Sequence, residues 1–185
     1  MMNKLLVITL FFSVSTWADA KIDFYKKVFP NLNSTKSHKV ADPISDEPTN
    51  TEILEAFDAK NNLLGYIREV NTTTGCNSAC LPVIFTLFYD KNVQFKKLLS
   101  RDGLTKKNHA PFTNEDYQKL ELILLMNPKE FKKVGYPTEM VDGITGATLK
   151  EYDQVVVKEA AYSSLRVNTY NQQTMAEIKK LQQKK

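Results

Sequence analysis

Between Asp142 and Thr148 the chain reads Asp-Gly-Ile-Thr-Gly-Ala-Thr, directly ahead of a run with helical character. Gly143 and Gly146 permit backbone conformations that other residues avoid. Gly146 and Ala147 carry almost no side chain, so a ligand can approach the main chain closely. Backbone amides at a helix start, together with the positive end of the helix dipole, attract a phosphate. Thr148 presents a hydroxyl where such a phosphate would lie, and Lys150 adds positive charge nearby. A plainer role is also open to these residues, and physics alone favours it. Thr148 can cap the helix by accepting a hydrogen bond from a backbone N–H, which stabilises a helix by about 1 kcal/mol, while Asp142 and Thr145 hold a turn. The segment is not a nucleotide-binding P-loop, because it lacks the Gly-x-x-x-x-Gly-Lys-Ser/Thr order.

The second chemically interesting pair is Cys76 and Cys80 in Gly-Cys-Asn-Ser-Ala-Cys-Leu-Pro. An exported protein favours a disulfide there, provided the two Cα atoms come within disulfide reach. A redox-active pair and free thiols stay open. The spacing is not the Cys-x-x-Cys of a dithiol catalyst. With His38 and His109 as the only histidines, no strong zinc spacing exists.

These residues need elements to position them. The segment Thr51–Asp58 and the segment Leu63–Thr72 flank a polar turn and predict a hairpin, with Leu64, Tyr66 and Arg68 on one face. Helical spacing of Ile53, Leu54 and Phe57 leaves a helix open for 52–59. Leu81–Asp90 is rich in β-branched and aromatic residues and predicts a strand buried on both sides. Asp90–Val93 then turns into a return strand, Gln94–Ser100. From Thr113 the pattern switches: Thr113 followed by Asp116 is a variant capping box, and Tyr117, Leu120, Ile123 and Leu124 recur at helical spacing. Asn127-Pro128 ends that helix. A helix follows over 149–167, weakened by β-branched Val155–Val157, and a separate polar helix over 174–181. Ahead of the sheet, 21–29 predicts one or two helical turns closed by Pro30, and 31–50 a loop wrapping the domain. No internal repeat stands out. The expected architecture is α+β, a small antiparallel sheet packed with helices. The expected divisions are 1–20, a 21–50 loop and helix segment, a 51–170 domain, and a 171–185 C-terminal helix or tail.

The run Asp142–Thr148 resembles the flavinylation motif of the FMN-binding domain family. These are exported domains found in the small flavin subunits of Rnf- and Nqr-type redox pumps and in related periplasmic proteins. The hairpin Ile53–Val70, with its Gly65-Tyr66 pair, is similar to the opening hairpin of that family. The resemblance implies an FMN-binding-domain-like fold and a covalent FMN, joined to Thr148 through a phosphoester. It implies a Mg-dependent, ApbE-type flavin transferase as the partner that makes the bond, with FAD as donor. Asp142, Gly143, Thr145, Gly146 and Ala147 would form the recognition context. Such a flavoprotein serves electron transport and is a redox carrier more than an enzyme with its own substrate. Its other partner would be a membrane or periplasmic redox protein. Two alternatives are a non-flavin binding module of the same fold and a thiol–disulfide protein using Cys76 and Cys80.

Bulk properties agree with a packed, exported domain. The 185 residues are 42% hydrophobic and 25% charged, enough to bury a core. The net charge of +4 is spread along the chain, unlike the concentrated basic face of a nucleic-acid binder. The start carries Lys4, an apolar run from Leu5 to Trp17, and then Ala18-Asp19-Ala20. This is the pattern of a secretory signal peptide. The apolar run is shorter than the roughly 20 residues a membrane span requires, so the expectation is cleavage before Lys21 and a periplasmic protein with no remaining transmembrane segment.

Overall fold

The computed structural model describes residues 15–43, 50–71, 84–100, 113–125 and 154–184. Its centre is a five-stranded antiparallel sheet in the simple order β1-β2-β3-β4-β5. The strands are β1 (Ser34–Ala41), β2 (Asn50–Phe57), β3 (Leu63–Asn71), β4 (Ile84–Asp90) and β5 (Phe95–Leu99). Helix α1 (Ser15–Lys26) covers one face of the sheet, while α2 (Asn114–Leu125) and α3 (Gln154–Gln183) contribute to the core on the other. An antiparallel sheet has two faces to satisfy, and helices on both give a layered α+β architecture.

The α1 face is aromatic. Phe24, Tyr25, Phe29 and Leu32 pack on Ala56, Ile67 and Phe88. Phe88 is the hub: its ring centroid lies 6.4 Å from Phe24, 6.2 Å from Tyr25 and 5.9 Å from Phe29. Tilted and edge-on pairs of this kind add about 0.5–1.5 kcal/mol each beyond the area they bury. The α3 face gathers Ile53, Tyr66, Val70, Phe85, Leu87, Tyr89 and Leu98 from the strands. Leu120 and Leu124 of α2 close it from one side, and Val167, Tyr170 and Ile178 of α3 from the other. The expected apolar stripe of α2 is therefore seen packed at Leu120 and Leu124, with Tyr117 partly buried.

Both hairpins predicted from apolar runs flanking polar turns are present, and β4 is buried on both faces as expected. The helical alternative for 52–59 is displaced by β2, because Ile53 packs on the α3 face while Leu54 and Ala56 pack on the α1 face. Four expectations change. Residues 34–41 are not loop but edge strand β1, paired with β2 from Ser34↔Phe57 to Ala41↔Asn50. Its sequence lacks alternation because only Val40 is buried, and an edge strand needs no apolar period to be held by its backbone ladder. Helix α1 starts earlier than expected, at Ser15, and runs through the Ala20-Lys21 junction. The two expected C-terminal helices are one, α3. Its Val155–Val157 run is carried within the helix. Finally, Leu64 does not share a face with Tyr66 and Arg68. Phe57 pairs with Leu63 and Ala56 with Gly65, so Leu64 is an extra residue, a bulge that reverses the alternation.

That bulge has a counterpart. In the second hairpin Tyr89 pairs with Phe95 and Phe88 with Lys97, leaving Lys96 as the extra residue. The turns match as well. Asp58 Oδ1 accepts from the N–H of Lys60 and Asn62, at 2.8 Å each. Asp90 Oδ1 accepts from the N–H of Asn92 and Gln94, also at 2.8 Å. Asn61 and Val93 both take the left-handed conformation, with φ of 60° and 66°. This is a three-residue hairpin loop, a turn followed by one left-handed residue. No internal repeat stands out in the sequence, yet the two hairpins are built to the same plan. Gly65 is demanded by close approach: a Cβ there would collide with the Tyr89 carbonyl oxygen and lie 2.7 Å from Phe29 Cζ.

Among the described residues, the two sheet rims are finished differently. On β5 the Leu98 N–H donates to Glu121 of α2 (3.2 Å), and Glu121 also pairs with Lys97 (2.9 Å). On β1 the exposed Lys36 and Lys39 stand along a strand with one buried residue.

Candidate functional site

Asp142, Gly143, Thr145, Gly146, Ala147 and Thr148 lie outside the described residues, and so do Cys76 and Cys80. Along the chain the Asp142–Thr148 motif precedes α3, and the cysteine pair falls between β3 and β4. The structure does define how α3, the helix downstream of the motif, is held to the sheet.

Its anchor is Arg68 on β3, the largest fully buried side chain among the described residues. Arg68 Nη1 donates to Gln173 Oε1 (2.5 Å) and Thr174 Oγ1 (2.9 Å), both on α3. Nη2 donates to Thr51 Oγ1 on β2 (2.6 Å). The guanidinium carbon sits 5.2 Å from the ring centroid of Tyr170, a cation–π contact. Among the described residues Arg68 makes no ion pair, and its Nε has no hydrogen-bond partner. Burial pulls the Arg68 pKa below its ordinary value, against the opposing influence of Tyr89, Tyr170, Asp42 and Glu177. Burying an ion costs several kcal/mol even after relaxation. Here that cost is offset by charge-assisted hydrogen bonds to neutral oxygens, together with the Tyr170 ring.

Two tyrosines extend the network. Tyr89 donates to Asn171 Oδ1 (2.8 Å), and Asn171 Nδ2 donates to the Leu124 carbonyl (3.0 Å), so β4, α3 and α2 are joined in one chain of bonds. Tyr170 donates to the Asp42 carboxylate at 2.8 and 3.0 Å. Burial pushes both phenols well above the usual tyrosine range, and for Tyr170 the adjacent Asp42 carboxylate adds to the effect. Both remain protonated donors at neutral pH. Gln173 Nε2 reaches the Ala41 carbonyl (2.7 Å), tying α3 to β1. Thr174 donates to the Tyr170 carbonyl (2.6 Å), which leaves its oxygen lone pairs facing Arg68. The assembly is rich in donors and positions a helix; it contains no activated nucleophile.

A second polar pair lies on β1 and β2. His38 Nε2 is 3.0 Å from Glu55 Oε2, with His38 half-buried and Glu55 fully buried. Two clefts open on the described surface. One, of about 260 Å³, lies between α1 and strands β2 and β3. The other, of about 460 Å³, is floored by Val28 and Leu99 and rimmed by Lys27, Lys96 and Lys97. Among the described residues no group of His, Cys, Asp and Glu is arranged to hold a metal ion, and no helix is long and apolar enough to cross a membrane.

The Arg68 network was not legible as a site. A single Arg in Leu-Leu-Gly-Tyr-Ile-Arg-Glu-Val, placed on one face with Leu64 and Tyr66, carries no sequence sign of a buried guanidinium network. The available signal was on α3, where Tyr170, Asn171 and Thr174 place polar side chains in the helix stripe that also carries Val167 and Ile178. No family model, curated protein or solved structure matches this chain.

Proposed function

We propose that this protein is an exported flavoprotein domain that carries FMN covalently on Thr148 and serves as an electron carrier. The observation that carries the reading is the Asp142–Thr148 sequence itself, with a hydroxyl, two glycines and an acid at the spacing of a flavinylation motif. Two features support it. The antiparallel sheet with a helix packed against it agrees with the α+β class that the motif implies. The motif also leads into a helix fastened to three strands and α2 by hydrogen bonds, which suits a cofactor that must be held in one place for electron transfer. The flavin supplies the electron chemistry, and the protein supplies attachment and orientation. The finer, FMN-binding-domain-like fold is part of this proposal, as are the periplasmic location, the ApbE-type transferase and a redox partner in or at the membrane.

The test is co-expression with an ApbE-type flavin transferase, followed by denaturing electrophoresis and in-gel flavin fluorescence. Wild type should fluoresce and gain the mass of FMN. Thr148→Ala should lose both signals, and Cys76→Ser should keep them. Unmodified, colourless wild-type protein under those conditions overturns the reading in favour of a binding module in which Thr148 is a cap.

A further inference from the structure

We propose that the cleft between α1, β2 and β3 is the seat of the mature amino terminus. The inference rests on the export reading above and on geometry independent of the flavin motif. The cleft has a volume of about 260 Å³ and is lined by Lys21, Tyr25, Thr51, Glu52, Leu54 and Glu69. Lys21, the residue that follows the Ala18-Asp19-Ala20 pattern, is itself a lining residue. Its side-chain ammonium lies 3.1 Å from Glu69 Oε2, and the Tyr25 hydroxyl donates to the other Glu69 oxygen at 3.2 Å. Glu52 adds a second, exposed carboxylate to the same cleft, with no ion pair among the described residues. Among the described residues the lining thus holds one ammonium and two carboxylates.

Hydrolysis of the Ala20–Lys21 peptide bond consumes one water. It leaves a carboxylate on Ala20, which departs with the leader, and an α-ammonium on Lys21. That new charge balances the cleft. An α-amino group titrates near pH 8, and neighbouring carboxylates favour its charged form. Among the described side chains, those of α1 packed into the aromatic core, Ile22, Phe24 and Tyr25, follow Lys21 and stay with the mature chain. The cleft therefore receives the end that processing creates, at the point where the remaining helix is pinned to β3.

The experiment uses protein released from a cleavable fusion so that its first residue is Lys21. The α-amine is acylated with limiting reagent at pH 7, and the rate is read by peptide mass spectrometry. Wild type should react about two- to five-fold more slowly than Glu52→Gln, the size expected of a partly exposed ion pair. Glu52 is exposed, so the variant keeps the fold, and circular dichroism verifies this. Equal rates in the two proteins overturn the seat alone. An exported chain whose intact mass shows a first residue other than Lys21 overturns the seat alone, and a chain that keeps its leader and stays inside the cell overturns the seat and the export reading together.

Discussion

The two faces of the sheet solve the same problem with different chemistry. Under α1, one phenylalanine hub, Phe88, collects three aromatic rings, and cohesion comes from area and ring geometry. Under α3, a buried guanidinium and a chain of hydroxyls and amides join the helix to the strands at specific atoms. Aromatic packing is strong but forgiving of small shifts. A hydrogen-bond network is satisfied in one register only, because a displaced helix would leave buried polar groups unpaired. The face that demands a fixed helix position is the one whose helix follows the Asp142–Thr148 motif. The contrast teaches that α1 is seated mainly by ring packing, whereas α3, which covers an apolar core of its own, is set in register by hydrogen bonds at specific atoms.

The strongest way to break the contrast is Arg68→Ala, which opens a cavity and strips Thr51, Gln173 and Thr174 of their common donor. It should cost about 2–5 kcal/mol, from the cavity and the buried oxygens left unpaired, measured by urea unfolding. Arg68→Met, which fills the space, should recover part of that loss. Full recovery would show that volume, not bonding, governs this face. Next comes Gly65→Ala on the aromatic side, where the added methyl meets the Tyr89 carbonyl and the Phe29 ring. Overpacking of this kind costs about 1–3 kcal/mol, and a loss of ring-current-shifted Phe29 signals in proton NMR should accompany it. A neutral effect would mean that the rings yield more readily than the contrast requires.

The smallest effect lies in the turns outside both faces. Asp58 has its pKa lowered, chiefly by the Asn62 side-chain hydrogen bond and then by backbone N–H groups. A lowered folded-state pKa contributes stability above the unfolded value of 3.8, and the contribution is lost as pH falls through the folded pKa. Asp58→Asn should therefore have a lower Tm than wild type at pH 6, with the gap closing as pH drops below 3.8. A gap that persists at pH 2 would assign the role to shape instead of charge.

The hairpins were readable because β2 to β5 carry apolar side chains that a packed sheet must bury. Strand β1 was not readable, since Ser34–Ala41 is held by backbone pairing and buries Val40 alone. The face of Leu64 was misjudged because nothing in Leu-Leu-Gly-Tyr announces a bulge; only the approach of Tyr89 to Gly65 reveals why one forms there. The left-handed residues of the twin turns show the same limit. Asn61 suits that conformation and is exposed. Val93 is a β-branched residue that ordinarily avoids it, yet it is held there with its side chain buried in the core. Burial overrode local preference at Val93, and a local reading sees only the preference. The Asp142–Thr148 run is the reverse case: it stands out in the sequence, and it lies outside the described residues.

The finished rims of the sheet carry a last consequence. Strand swapping and fibril growth both begin when a foreign strand lies along an open edge and pairs with its free amides. At β5 such a strand must first evict Glu121 from the Leu98 amide and from Lys97, and so must dislodge a helix. At β1 it meets Lys36 and Lys39 and gains a single buried valine's worth of apolar company. One rim is defended by a lid and the other by composition. Both discourage a second copy of this chain from continuing the sheet.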